Sequence, residues 1–387
     1  MFAVLHRLPL SFIPFTTVIV SIVLLLTPKN LQAAPQPPEV AGHTYILMDY
    51  ASGIVLAERK PDLRVEPASI TKVMTAYIVF QELAAKHLTL TDSITISERA
   101  WRSEGSRTFV QVGTAVPLEA LLKGMIVQSG NDAAIALAER IGNSEAGFAQ
   151  LMNDQAKRLG MTGTHFTNAT GLPESNHYTT ARDVALLSRA LIRDFPEFYK
   201  WHSLREFVWG GITQQNRNGL LTRDASVDGI KTGHHDSAGY CLASSAQRKG
   251  MRLITTIFGA TSVGEREDSS ATLLNFGFNF YESSVLRKQG EIILKPRLYK
   301  GEREFIGVTP GRDIVALVAR GEGANLRMTT TLTEPLVAPM VVGKRVGEAV
   351  VRNGKVVVAR VPLIAAETVS EGNLAHNVMD TLALWLR

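Results

Sequence analysis

The sequence predicts two domains of different class, a mixed helix-and-sheet domain followed by a small all-β one. Three observations predict it. After an apolar leader, about 350 residues remain, too many for one ordinary domain and enough to bury two cores. Between residues 40 and 285, helical periodicity alternates with short apolar or alternating runs. From Glu291 to Val361, short β-patterned runs alternate with Gly, Pro and charged turns, and no long helical period survives.

The leader comes first. Arg7 precedes an apolar stretch from Leu8 to Leu26, and Ala33 and Ala34 supply small residues for cleavage. That pattern is a signal peptide over residues 1–33, so the remainder is exported. A retained membrane span is the alternative, but Pro9 and Pro14 interrupt the stretch.

A strand, turn and strand follow: Tyr45–Met48 and Ile54–Leu56 flank Asp49-Tyr50-Ala51-Ser52-Gly53. Pro67 then opens a helix that continues through the apolar run Val73–Phe80. A β-patterned segment spans Ser93–Ser97. Pro117 opens an amphipathic helix through Leu118, Leu121, Leu122, Met125 and Ile126, which breaks at Ser129-Gly130-Asn131. Helical spacing resumes through Ile135, Leu137 and Ile141, and again from Phe148 to Leu159. A loop rich in Asn, Thr, Gly and Pro covers Gly163–Tyr178, Thr180 caps a helix to Leu191, and Phe207–Asp224 reads as turns and short strands. Val227–Lys231, Tyr240–Ser244 and Leu253–Phe258 read as neighbouring strands, with a closing helix from Glu265 to Tyr281. The domains are therefore placed at residues 40–285 and 290–366. The last stretch, Asn373–Arg387, is an amphipathic helix. Leu374, Ala375, Val378, Met379, Leu382, Ala383, Trp385 and Leu386 fill one half of its wheel, and His376, Asn377, Asp380, Thr381 and Arg387 the other, with Leu384 the exception. Such a helix either packs on its own domain or lies on a membrane surface; one Arg and no polybasic patch leave apolar burial as the only drive for the latter.

Charge excludes one class of partner. Lys and Arg number 41, two of them in the leader, against 36 acids, and no basic block stands out, so nothing favours nucleic acid. Cys241 is the only cysteine, which rules out an internal disulfide, and it reads as a small strand residue rather than a nucleophile. No metal site is expected: the imidazoles of His234 and His235 would point apart on a strand. No cofactor is expected either.

Three short motifs carry chemistry. Ser69 and Lys72 stand three apart, so on a helix hydroxyl and amine share a face. A serine becomes a nucleophile when a base takes its proton, and lysine serves as that base once burial or another cation lowers its pKa. The helix N-terminus adds orphan amides that suit an oxyanion. Ser129 and Asn131 sit at a helix break about 60 residues on, where polar side chains project into a cleft. Lys231, Thr232 and Gly233 end an apolar strand about 100 residues later. Taken singly, the first two are ordinary helix caps and the third an ordinary strand exit. Together and in this order they supply the groups acyl transfer needs. Ser69 attacks, Lys72 accepts its proton, and Ser129 relays protons toward the leaving nitrogen. Lys231 helps keep Lys72 neutral and attracts an anion, Thr232 hydrogen-bonds a carboxylate, and Gly233 brings the strand edge close to substrate backbone.

The trio occurs in class A β-lactamases and penicillin-binding proteins, with Ser-Gly-Asn here in place of Ser-Asp-Asn. Longer stretches narrow the match: Pro67–Lys72, Val127–Ala133, Asn216–Leu221, Asp228–His234 and Asn275–Phe278, with the β-rich domain and terminal helix. Over nearly the whole exported chain the sequence resembles the low-molecular-mass penicillin-binding proteins that act as serine D-alanyl-D-alanine carboxypeptidases. The resemblance implies an α/β (α+β) transpeptidase/β-lactamase-like domain, with a five-stranded antiparallel sheet flanked by helices. It implies removal of the terminal D-alanine of peptidoglycan stem pentapeptides, acylation by β-lactam antibiotics, and a periplasmic place on the outer face of the cytoplasmic membrane. It also implies an oxyanion hole from the backbone N–H groups of Ser69 and His234, a substrate amide held by Asn131, and a carboxylate bound with the help of Arg266. His235 stands where the family's pattern carries a hydroxyl residue. The rivals are a β-lactamase, against which no E-x-x-L-N occurs between Ser129 and Lys231, a silent penicillin-binding scaffold, and an endopeptidase acting on cross-linked peptides.

Overall fold

Five antiparallel strands lie between two sets of helices, and the alternation of side chains along each strand explains both cores. The computed structural model describes residues 35–386; the expected signal peptide lies outside the described residues. The strands are β1 (Thr44–Asp49), β2 (Val55–Arg59), β3 (Val227–His235), β4 (Gly239–Arg248) and β5 (Met251–Ala260), in spatial order β2-β1-β5-β4-β3. In β1, Ile46 and Met48 face one core while Tyr45 and Leu47 face the other, as a period of two requires. The strand is buried on both sides, which is why it reads as one continuous apolar run.

On the first face lie α1 (Lys72–Ala84), α2 (Leu118–Val127), α3 (Asn131–Gly142), α4 (Glu145–Arg158) and α5 (Ala181–Asp194). On the second lies α6 (Val263–Phe280), whose Leu273 and Leu274 pack against Leu47, Leu253 and Ile257. From Val73 to Phe80 every side chain of α1 is buried, so this helix runs through the core instead of along its surface. Thr180, expected as a cap, accepts a hydrogen bond from the Asp183 N–H. Ser262 does the same for Glu265, so α6 starts two residues earlier than the sequence suggests and stops one sooner, where Tyr281 opens a strand. The stretch expected as turns and short strands contains a hairpin, Glu206–Trp209 with Ile212–Gln215, and a helical turn at Leu220–Arg223.

Beyond α6 the chain is β-rich. Strand Tyr281–Arg287 pairs with Ile314–Ala319, and Arg345–Asn353 pairs with both Leu326–Leu332 and Val356–Ala365, around a core that includes Val308, Ile314, Ala349, Val361 and Leu363. The final helix is α7 (Leu374–Trp385). Among the described residues no helix is long and apolar enough to cross a membrane.

Candidate active site

The Ser69–Lys72 motif, where the nucleophile is expected, is a tight turn before it is a helix. After Pro67, residues Ala68–Thr71 form a single 3-10 turn, and Lys72 is the first residue of α1. With three residues per turn, positions i and i+3 eclipse, which brings Lys72 over Ser69 more directly than an α-helix would. The Lys72 Nζ lies 2.9 Å from Ser69 Oγ and donates to the Thr170 carbonyl at 2.6 Å. Ala68 takes a left-handed backbone, φ +46°, to enter the turn.

Ser129 sits between α2 and α3 at φ +69°, a conformation costing a non-glycine residue about 1–3 kcal/mol. A cleft of about 490 Å3 is lined by seven of the nine expected residues: Ser69, Ser129, Asn131, Thr232, Gly233, His234 and Arg266. Lys72 and Lys231 stand behind it, both almost wholly buried. Ser129 Oγ, Asn131 Oδ1 and Arg266 Nε are buried without a partner among the described residues, an unusual density of unsatisfied polar atoms for one cleft. Asn131 and Arg266 are otherwise held in place. Asn131 Nδ2 donates to the Glu104 carbonyl at 2.6 Å. The Arg266 guanidinium donates to the carbonyls of Gly233, at 3.3 Å, and Arg217, at 3.2 Å.

Burial sets the protonation of the two lysines. It pulls the Lys72 pKa down to about 7, with Arg217 adding to the shift and Asp132 and Glu145 opposing it. Lys231 is pushed well below its ordinary value by burial and then by Lys72, Arg217 and Arg266. Burial is the largest cause for Lys72, with Arg217 adding to it, and the repulsion between Lys72 and Lys231 expected from the sequence is present between the two buried amines. Gly233 lines the cleft and also packs closely on the Ser69 turn: a Cβ there would lie 3.1 Å from the Pro67 carbonyl and 3.2 Å from Ala68 Cβ, so its bareness seats β3 against that turn. Cys241 is buried with its pKa raised to about 12, which leaves it an inert thiol. The His234 ring packs 4.0 Å from that of Tyr240, while His235 Nδ1 accepts the Ala238 N–H and faces Glu66 at 3.5 Å.

Four residues at the site carried no role in the sequence reading. Arg217 lines the cleft from within one of the matched stretches. Asp132 follows Asn131 and accepts from the N–H groups of Thr108, Phe109, Val110 and Ala133, which folds the cleft wall containing Gly105 and Ser106. Thr170 holds Lys72, and His177 bonds Thr71 inside the nucleophile turn. The matched stretches Val127–Ala133 and Asn216–Leu221 were the only sequence signal, and they covered Asp132 and Arg217 but neither Thr170 nor His177.

Comparison with known proteins gives the family. The model of the D-alanyl-D-alanine carboxypeptidase family, Peptidase S11, matches residues 31–262, and that of the penicillin-binding protein 5 C-terminal domain matches residues 281–371. The chain is 42% identical over 354 residues to D-alanyl-D-alanine carboxypeptidase DacC of Escherichia coli (strain K12), covering 89% of this chain and 88% of that one. It is 32% identical over 348 residues to DacF of Bacillus subtilis (strain 168), covering 88% and 89%. The crystal structure of penicillin binding protein 5 from Haemophilus influenzae superposes with a TM-score of 0.80 at 36% identity, over 87% of this chain and 100% of that one. The chain belongs to the D-alanyl-D-alanine carboxypeptidase family of serine peptidases.

Proposed function

We propose that Ser69 is the acylated nucleophile and Lys72 its general base in the removal of the terminal D-alanine from stem pentapeptides. The observation that carries this is the 2.9 Å contact between the Ser69 hydroxyl and a buried lysine whose pKa lies near 7. In its neutral form Lys72 takes the Ser69 proton as the hydroxyl attacks the penultimate carbonyl. Because β3 is the sheet's outer strand, backbone groups on its free edge face outward, and a peptide can lie along it as a further strand. The N–H groups of Ser69 and His234 receive the oxyanion. Asn131 holds the substrate amide, while Thr232, Lys231 and Arg266 receive the terminal carboxylate. Ser129 passes the proton from Lys72 to the departing D-alanine amine, and water then releases the acyl group. A β-lactam enters by the same attack and stays as the acyl-enzyme.

The division into a catalytic domain over 40–285 and a β domain over 290–366 belongs to the same proposal, as does a periplasmic place at the cytoplasmic membrane's outer face. Helix α7 supports that place. Its Asp380 is 2% exposed and accepts from Arg297, at 3.0 Å, and from the Lys300 N–H, at 2.6 Å, so the polar side faces the β domain. The opposite side presents Leu374, Met379 and Trp385, the last 87% exposed. The two sequence alternatives thus combine: the helix docks on its own domain through polar groups and offers its apolar face to a membrane surface.

The test is release of free D-alanine from a peptide ending in D-Ala-D-Ala by the purified protein, and its loss in Ser69→Ala. Release that survives this substitution removes Ser69 from the role.

A further inference from the structure

A neutral amine has two N–H bonds and one lone pair. With an N–H of Lys72 held by the Thr170 carbonyl and Ser69 Oγ 2.9 Å away on another side, the neutral amine has a lone pair free to accept the hydroxyl proton. Whatever fixes that carbonyl therefore acts on the base. The loop over 163–178 is fixed internally by Asn168 Oδ1, which accepts from Thr170 N at 3.1 Å and Gly171 N at 2.7 Å. Glu145 of α4 accepts from Ala169 N at 3.1 Å and pairs with Arg99. Thr75 of α1 donates to the Ala169 carbonyl.

His177 makes the link to the nucleophile turn itself. Its Nε2 lies 2.8 Å from Thr71 Oγ1, between Ser69 and Lys72 in the chain, and its Nδ1 accepts from the Thr167 N–H at 3.0 Å. An amide can only donate, so Nδ1 carries the lone pair and Nε2 the proton, which goes to Thr71 Oγ1. Burial keeps the ring neutral, with its pKa lowered to about 4; Glu174 and Glu66 oppose that shift, and His165 and His235 add to it. The loop backbone also lies hard on the turn: a Cβ at Gly171, φ +85°, would sit 1.7 Å from the Ala68 carbonyl oxygen.

We propose that His177 is a positioning residue for the general base, locking the 163–178 loop onto the Ser69–Lys72 turn so that the Thr170 carbonyl orients Lys72 toward the Ser69 hydroxyl. This rests on the assignment of Ser69 and Lys72 above. When the lock is removed, water reaches Lys72 and the ammonium regains solvation. The groups that otherwise act on Lys72, namely Asp132, Glu145, Arg217 and Lys231, stay in place.

The experiment follows acylation of the full exported chain by a fluorescent penicillin, from about pH 5 to about pH 10, in wild type, His177→Ala, His177→Gln and Thr71→Val. In His177→Ala the acid limb of the acylation rate moves up by about one pH unit or more, the rate at neutral pH falls about tenfold, and much of it returns at high pH. His177→Gln, whose amide offers one donor and one acceptor, recovers most of the loss. Thr71→Val removes the same hydrogen bond from the other side, moves the limb the same way, and carries the test if His177→Ala does not fold. A folded His177→Ala with the wild-type limb overturns the proposal, as does a loss equal at every pH. Failure of the underlying assignment shows differently: wild type is then not labelled, or Ser69→Ala is labelled as well.

Discussion

The proposed chemistry centres on one buried amine, that of Lys72. With Lys72 as the base and its pKa near 7, the acylation rate should fall as pH drops below about 7, because the ammonium has no lone pair to take the Ser69 proton. A pH profile of kcat/KM for D-alanine release checks this, and an acid limb that lies with ordinary carboxylates would contradict it. Lys72→Arg keeps a cation at the site but cannot give up its proton, so acylation should fall by about 10²–10⁴. Single-turnover labelling measures it. The closeness of Ser69 and Lys72 was legible in sequence because the chain itself sets their spacing. The depth at which Lys72 is buried was not legible, and burial is the largest cause of its lowered pKa. Thr170 contributes only a carbonyl, which no side-chain pattern can announce.

At the level of elements, the cleft is built by turns and loops that long-range bonds hold in place. Asp132 is the clearest case, a fully buried carboxylate satisfied by four backbone N–H groups. Asp132→Ala strands those donors and should cost about 3 kcal/mol, read as a lowered urea midpoint, together with slower acylation as the wall near Ser106 loosens. Unchanged stability would show that the wall stands without it. The sheet strands and major helices were legible from periodicity and caps such as Thr180. The 3-10 turn at Ala68–Thr71 was not, since one turn is too short to show a period and its shape depends on Gly171 and Gly233 packing beside it.

On the scale of the whole molecule, the β-rich part continues directly from α6, and Arg320 donates to the Asn279 carbonyl at 3.0 Å across that junction. Composition revealed this part, but the orientation of α7 depended on Asp380 finding Arg297 and Lys300, which no helical wheel predicts. Deleting Asn373–Arg387 should release the exported protein from lipid vesicles in a sedimentation assay while leaving D-alanine release unchanged. Retained binding would place the membrane contact elsewhere.

The central claim is that Ser69 attacks and Lys72 deprotonates it. Peptide mapping of the penicillin-treated protein by mass spectrometry tests it most directly. The account predicts one drug adduct per chain, on Ser69, absent in Ser69→Ala and formed far more slowly in Lys72→Arg. An adduct on any other residue, or one that persists in Ser69→Ala, would contradict it.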